Sequence, residues 1–348
     1  MSPAAATATN ARVAPLRSRR CTVNLHYPDS WAVRPNPMAD ELARRARNWL
    51  RQRGVITTAA DEDKFHNLSV GEYANWPFPF AEEDRAEVIT NFLALWIFYE
   101  DILEEGGDGQ SAAVLDAIRG LPAPAGSVES AHLRCWRELG EACATVMSAA
   151  WTERHACRFA EWVDAVVEES VQAQILRKTG VYPSLAEHLK CRRANIGMAP
   201  NLDFIEYQIG WELPEEVLAD SDMKAVESAA ADCVAICNDL FGFTKDRRSI
   251  WANFVSCAMN EFGDDAGEAF KWVTHMHSRK VQELRQHEAL LLKRYPQHPM
   301  LTAWFDALHC VIYGFAQWHS RAPRYRAIHE SGCWRVQLTI TPACPDPF

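Results

Sequence analysis

The sequence has no Cys-x-x-Cys pair, few glycines, a deficit of basic residues and few clear alternating strand patterns. Nor does any apolar run approach the about 20 residues that a membrane span needs. Each lack excludes something. Without a long apolar run, stable membrane insertion is not expected. The 11 cysteines are odd in number and scattered, and they read as reduced thiols packed as small hydrophobes. No secretory signal is visible, so a cytoplasmic location is expected. A net charge of -10 argues against nucleic acid, because phosphate binding needs clustered Lys and Arg. It suits a protein whose acidic groups hold cations locally.

Nearly half the residues are apolar, enough for a large core, and Trp is frequent at 13. Ala, Leu, Glu and Arg dominate the middle of the chain, a composition that favours helices. Apolar residues recur at spacings of three and four almost throughout. This periodicity predicts helices over residues 38–52, 82–105, 128–149, 152–178, 185–197, 200–210, 214–219, 222–246, 249–261, 265–294 and 298–319. The run Gly120-Leu121-Pro122-Ala123-Pro124-Ala125-Gly126 is a clear break. No repeat and no second domain stands out. The expected architecture is all-α, one helical bundle over residues 29–335. Residues 1–28 lack any acid and carry Arg12, Arg17, Arg19 and Arg20; they read as a disordered tail rather than a targeting peptide. Residues 336–348 read as an irregular C-terminal tail.

Two acidic stretches carry chemistry. Glu100-Asp101-Ile102-Leu103-Glu104 ends an aromatic helix. Glu100 and Glu104 share a face, and like charges there repel unless solvent or a cation neutralises them. The second stretch, Asn238-Asp239-Leu240-Phe241-Gly242-Phe243-Thr244-Lys245-Asp246, follows the small apolar run Ala229 to Cys237. A buried helix that turns polar incurs a desolvation cost, which a metal and its ligands would offset. For the first stretch alone, a solvated helix end is an equal reading, and the second alone also reads as a polar helix end. A third run, Asp264-Asp265, follows Gly263 and reads as a helix start, where acids complement the dipole. The basic pairs Arg192-Arg193, before Gly197, and Arg324-Tyr325, after Pro323, offer forked donors suited to phosphate. Together these features suggest a metal-bridged diphosphate on a hydrophobic ligand.

In these motifs the chain resembles the class I terpene synthases, the bacterial-type and fungal-type cyclases of one helical domain. The family's second metal motif, Asn-Asp-x-x-Ser/Thr-x-x-x-Glu, is similar to Asn238 through Asp246. Its first motif, Asp-Asp-x-x-Asp/Glu, is similar to Glu100 through Glu104. The family's diphosphate-sensing Arg, four residues before a small residue at a helix break, matches Arg193 and Gly197. The C-terminal Arg-Tyr pair matches Arg324-Tyr325, with Trp318 ahead of it. All four motifs occur in order, across residues 30–326. Two departures stand out: Gly242 replaces a Ser or Thr, and Glu100 replaces the first Asp.

The resemblance implies the fold of the class I terpenoid synthases and three Mg2+ ions. Their ligand positions would be Glu100, Asp101 and Glu104 on one side and Asn238, Gly242 and Asp246 on the other, with water serving where Gly242 has no side chain. Arg193, Lys245, Arg324 and Tyr325 would donate to the diphosphate of an isoprenyl substrate. Phe92, Trp96 and Trp318 would face the carbocation, and the Gly197 carbonyl would be exposed to it. The implied reaction is cyclisation of farnesyl diphosphate to a sesquiterpene, with geranylgeranyl diphosphate as the runner-up. Aromatics on Phe92 and Trp96 also suit plain core packing. A chain-elongating prenyl diphosphate synthase would need a second Asp-Asp-x-x-Asp where Asn238-Asp239 stands. A di-iron protein would need two Glu-x-x-His motifs, and only Glu129 to His132 is found. An inactive, cyclase-like binding protein is the alternative outside catalysis. A homodimer is compatible with the sequence.

Overall fold

The computed structural model describes residues 21–104, 111–126, 128–263, 265–325 and 334–341. Its helices are α1 (Ala39–Gln52), α2 (Ala59–Leu68), α3 (Val70–Asn75), α4 (Glu83–Glu104), α5 (Ser111–Ile118), α6 (Ala131–Ala144) and α7 (Ala149–Thr179). They continue as α8 (Leu185–Asn195), α9 (Met198–Ile209), α10 (Glu215–Leu218), α11 (Ser221–Ser249), α12 (Phe254–Phe262), α13 (Ala266–Arg294) and α14 (Met300–Arg321). The all-α expectation holds. Among the described residues, no helix is long and apolar enough to cross a membrane.

Helix α11 is the axle of the bundle. Asp220 caps its start by accepting from the Asp222 amide at 2.8 Å. Its middle is built of Ala, Cys, Val and Ile, so neighbouring helices approach on every side. Helices α8, α9, α12, α13 and α14 all pack on it. Helix α4 is similar: everything from Ile89 to Tyr99 is buried, and acids appear only toward its two ends. The Asp265 carboxylate accepts from the Gly267 and Glu268 amides at 2.8 and 3.2 Å, which makes it the cap of α13. That is the helix start its sequence suggested; Asp264 and Glu105 lie outside the described residues.

The chain ends differ from the expected tails. Strand β1 (Cys21–Pro28) pairs in parallel with β2 (Trp334–Thr341), from Cys21 opposite Trp334 to Pro28 opposite Thr341. The expected boundary at residue 335 therefore falls inside β2, and the one at residue 28 leaves the ordered strand β1 in the expected tail. Val23, Leu25 and Tyr27 alternate inward, and the Tyr27 hydroxyl meets His277 Nε2 of α13 at 3.0 Å. The period-two signal was present in each eight-residue segment, but its partner lay at the other end of the chain. Helices α2, α3 and α5 were also missed; each is short, and α2 is defined by a capping box between Thr58 and Asp61.

The described cysteines are free thiols, and most are buried. Burial pushes the Cys143 and Cys257 thiols up to about 12, so they pack as hydrophobes.

Candidate active site

A cavity of about 190 Å³ opens where α4, α7, α8, α11 and α14 converge. Leu68, Tyr73, Ile97, Val234, Phe315 and Trp318 form apolar wall, while Glu100, Glu104, Glu169, Arg192, Asn238, Lys245, Asp246, Arg324 and Tyr325 form the polar part.

On the α4 rim, Glu100 and Glu104 line the cavity, whereas Asp101 turns outward onto Lys64. The expected role of Asp101 as a ligand therefore does not fit its orientation. Burial raises the Glu100 carboxyl above the usual range, against the pull of Arg324. Glu104 is exposed by area, yet loss of hydration and then the charge on Glu100 lift it to about 7. Acids held this way are a site short of positive charge.

On the α11 rim, every polar atom of the Asn238 amide is engaged. Its Oδ1 accepts from Arg192 Nη2 at 2.9 Å. Its Nδ2 donates to His319 Nε2 at 2.9 Å and to the Tyr325 hydroxyl at 3.2 Å. Burial, then the nearby Arg324 charge, hold His319 down to about 3, so it stays a neutral acceptor. The amide oxygen is thereby aimed at the Arg192 guanidinium. Two turns on, Asp246 accepts from Asn253 Nδ2 at 2.8 Å and pairs with Lys245 at 3.1 Å.

Gly242 has a steric reason to be Gly. A Cβ there would lie 2.9 Å from Asp246 Oδ2. The short Asp246 side chain folds back over the helix and fills the space of the missing Ser or Thr. Next to Asn238, Asp239 is buried and structural. Burial alone would raise its carboxyl, but Arg192 and His188 hold it below the usual range. His188 Nε2 and the Phe254 amide both approach Asp239 Oδ2 at 2.8 Å, tying α11 to α8 and α12.

The basic side holds one correction. Arg193 does not face the cavity. Its Nε and Nη2 donate to the buried Asp232 carboxylate at 2.9 and 2.7 Å, joined by Lys280 at 3.1 Å. Arg192 is the guanidinium that lines the cavity, between Asn238, Asp239 and Glu169. The buried face of α8 is Leu185, His188, Arg192 and Asn195, a spacing of three and four that was legible in the sequence. Arg193 lies a step off that stripe. Glu169 was missed in the same way. It follows Trp162 and Val166 and precedes Ala173 and Leu176 on the buried stripe of α7. Burial raises its carboxyl against the pull of Arg192.

The aromatic expectations divide. Trp318 lines the cavity, anchored by its indole N–H on the Leu68 carbonyl at 2.6 Å. Its ring stands edge-on to Tyr325, with centroids 5.6 Å apart, and lies 4.5 Å from Tyr73. Phe92 and Trp96 do not line the cavity. Phe92 sits among Trp136, Phe159 and Phe204, and Trp96 packs on Phe159 and Trp162. Trp96 instead supports the α8–α9 break. Gly197 has φ +74°, and a Cβ there would come within 2.8 Å of the Trp96 ring. The Gly197 carbonyl accepts from Asn201 Nδ2 at 2.8 Å, so it is not free for a cation, and Ile196 rather than Gly197 lines the cavity. Arg324 and Tyr325 both line the cavity. Tyr73, Phe315, His319 and Trp251 also line the site and had no distinguishing motif.

Among the described residues no three His, Cys, Asp or Glu side chains form a ready-made metal cluster. The oxygen donors are divided between two rims with cations around them. That division suits hard ions that keep waters and bridge to a substrate's phosphates, not an all-protein cage.

Comparison with known proteins agrees with this geometry. Residues 91–283 match the family model described as "Terpene synthase family 2, C-terminal metal binding". The pentalenene synthase of Streptomyces exfoliatus is 26% identical over 328 residues, covering 88% of this chain and 93% of that one. The Delta(6)-protoilludene synthase of Armillaria ostoyae is 23% identical over 308 residues, covering 85% of each chain. Among solved structures, the linalool/nerolidol synthase of Streptomyces clavuligerus superposes with a TM-score of 0.72 at 19% identity, covering 83% of this chain and 97% of that one. The fold and site thus define a class I terpene synthase. The chain belongs to terpene synthase family 2, whose metal-binding portion contains both acidic rims.

Proposed function

We propose that the enzyme ionises farnesyl diphosphate and cyclises the resulting cation to a sesquiterpene. The observation that carries this is the convergence of Arg192, Lys245 and Arg324 with Glu100, Glu104, Asn238 and Asp246 around one cavity. Arg192, Lys245, Arg324 and the Tyr325 hydroxyl would bind the diphosphate and stabilise the charge it gains as it leaves. Glu100 and Glu104 on one rim, with Asn238 and Asp246 on the other, are the donors we assign to three Mg2+ ions. Bound there, the metal supplies Lewis-acid stabilisation of the leaving diphosphate. Tyr73, Phe315 and Trp318 would exclude water from the allyl cation and face it with aromatic surface.

The substrate length is drawn from relatives. One of them, from Saccharothrix espanaensis, is named as a farnesyl diphosphate-cyclising (-)-beta-caryophyllene synthase and is 24% identical over 317 residues. The test is incubation of the purified chain with geranyl, farnesyl and geranylgeranyl diphosphates plus Mg2+. Farnesyl diphosphate is expected to give a cyclic product that vanishes with EDTA. Turnover of geranylgeranyl diphosphate alone would make this a diterpene synthase. No turnover of any of the three would leave the inactive-relative reading in its place.

A further inference from the structure

The cavity contains an acceptor that the ionisation chemistry does not use. Asn201 sits in the first turn of α9, is 3% exposed and lines the cavity. Its Nδ2 donates to the Gly197 carbonyl at 2.8 Å. That bond fixes which end of the amide is oxygen, since the reverse orientation would set two acceptors against each other. Oδ1 is buried and finds no donor among the described residues. The cavity's other amides are satisfied differently. The Asn238 oxygen accepts from Arg192, and so does the Asn195 oxygen, at 2.8 Å. A buried carbonyl oxygen without a donor costs about 1–3 kcal/mol, and the residue shares its cavity with the apolar Ile196, Val234 and Phe315.

We propose that Asn201 Oδ1 seats the water that captures the final carbocation, so that the enzyme's main product is a terpene alcohol. The inference rests on the cyclase reading above and adds the product class to it. The water donates one hydrogen to Oδ1, which turns an oxygen lone pair toward the cation. A carbon–oxygen bond forms, and the resulting oxonium loses a proton. A neutral amide is too weak a base to keep that proton; it passes to the diphosphate released in ionisation. The balance is one isoprenyl diphosphate and one water giving one alcohol and one protonated diphosphate. No oxidant or reductant is required.

The experiment is product analysis by gas chromatography and mass spectrometry, with the full chain, Mg2+ and farnesyl diphosphate in 18O-labelled water. The wild type is expected to give mainly an alcohol carrying the label. Asn201→Leu removes the acceptor and should lower the alcohol-to-hydrocarbon ratio by about tenfold or more, the equivalent of one lost hydrogen bond. Asn201→Ala makes the same test if the Leu variant does not fold. Hydrocarbon as the main wild-type product, or an unchanged ratio in the Leu or Ala variant, overturns the water seat and leaves the cyclase reading intact. No turnover by the wild type overturns both.

Discussion

Arg192 and Arg193 are neighbours in sequence with opposite duties, and substitution separates them. Arg192→Ala removes a donor aimed at the leaving diphosphate and should lower kcat by about 100- to 1,000-fold; it also leaves buried Asp239 with His188 as its remaining side-chain partner, so its thermal midpoint should fall too. Arg193→Ala leaves Asp232 buried with Lys280 as its remaining cation. It should leave turnover largely intact but lower the thermal midpoint, by a fraction of the about 3–5 kcal/mol that breaking a buried pair costs. Steady-state kinetics and thermal denaturation on both variants decide the assignment. At the second metal rim, Gly242→Ser places a Cβ 2.9 Å from Asp246 Oδ2. The single change should raise the Mg2+ concentration needed for half-maximal activity. Gly242→Ser with Asp246→Glu should recover, because the longer carboxylate reaches past the new side chain. A single Ser variant with unchanged Mg2+ dependence would contradict this steric account.

At the scale of elements, the break between α8 and α9 matters most. It is held from beneath by Trp96 and by Trp162, whose indole N–H donates to the Asn195 carbonyl at 3.0 Å. It is held from the side by Arg192, which donates to Asn195 Oδ1. Gly197→Ala must adopt a left-handed φ, at about 1–2 kcal/mol, and also press on the Trp96 ring. We expect a lower thermal midpoint together with a loss of turnover, because the same segment positions Arg192 and Asn201. Calorimetry beside product yield checks this, and an unshifted midpoint would count against it. The sequence marked this break through Gly197, and it marked both acidic helix ends. It did not say which side of each helix faced the cavity. Ile97 and Trp96 both flank Glu100 on α4, three and four residues back. The choice of Ile97 as wall and Trp96 as core is made by Phe159 and Trp162 of the opposing helix.

At the scale of the molecule, the crowded acids make stability depend on pH and metal together. Glu104 is raised to about 7 from the ordinary 4.5, and Glu100 is raised as well. A carboxyl with a raised folded value binds protons more tightly folded than unfolded. Its penalty is absent below the unfolded value, grows as pH rises from about 4.5 to 7, and is fully present above. In EDTA the protein should therefore lose stability across that window. Added Mg2+ should offset the loss, and its stabilising effect should increase with pH over the same range. Thermal midpoints measured with and without Mg2+ test the sign; a metal effect that shrinks as pH rises would refute it.

The sequence by itself determined the all-α class, most helix positions, and the four motifs that surround the site. Those features are local: apolar spacing sets helices, and acids or Arg at helix ends are visible without a partner. Tertiary structure alone decided the rotation of α4 and α8, and so the choice of Arg192 over Arg193 and of Tyr73 and Phe315 over Phe92 and Trp96. It also brought in Glu169, Asn201 and His319, and paired β1 with β2 across the length of the chain. In each case the deciding partner is remote in sequence, and a helix buried on most sides carries too little amphipathic contrast to reveal which face looks into the cavity.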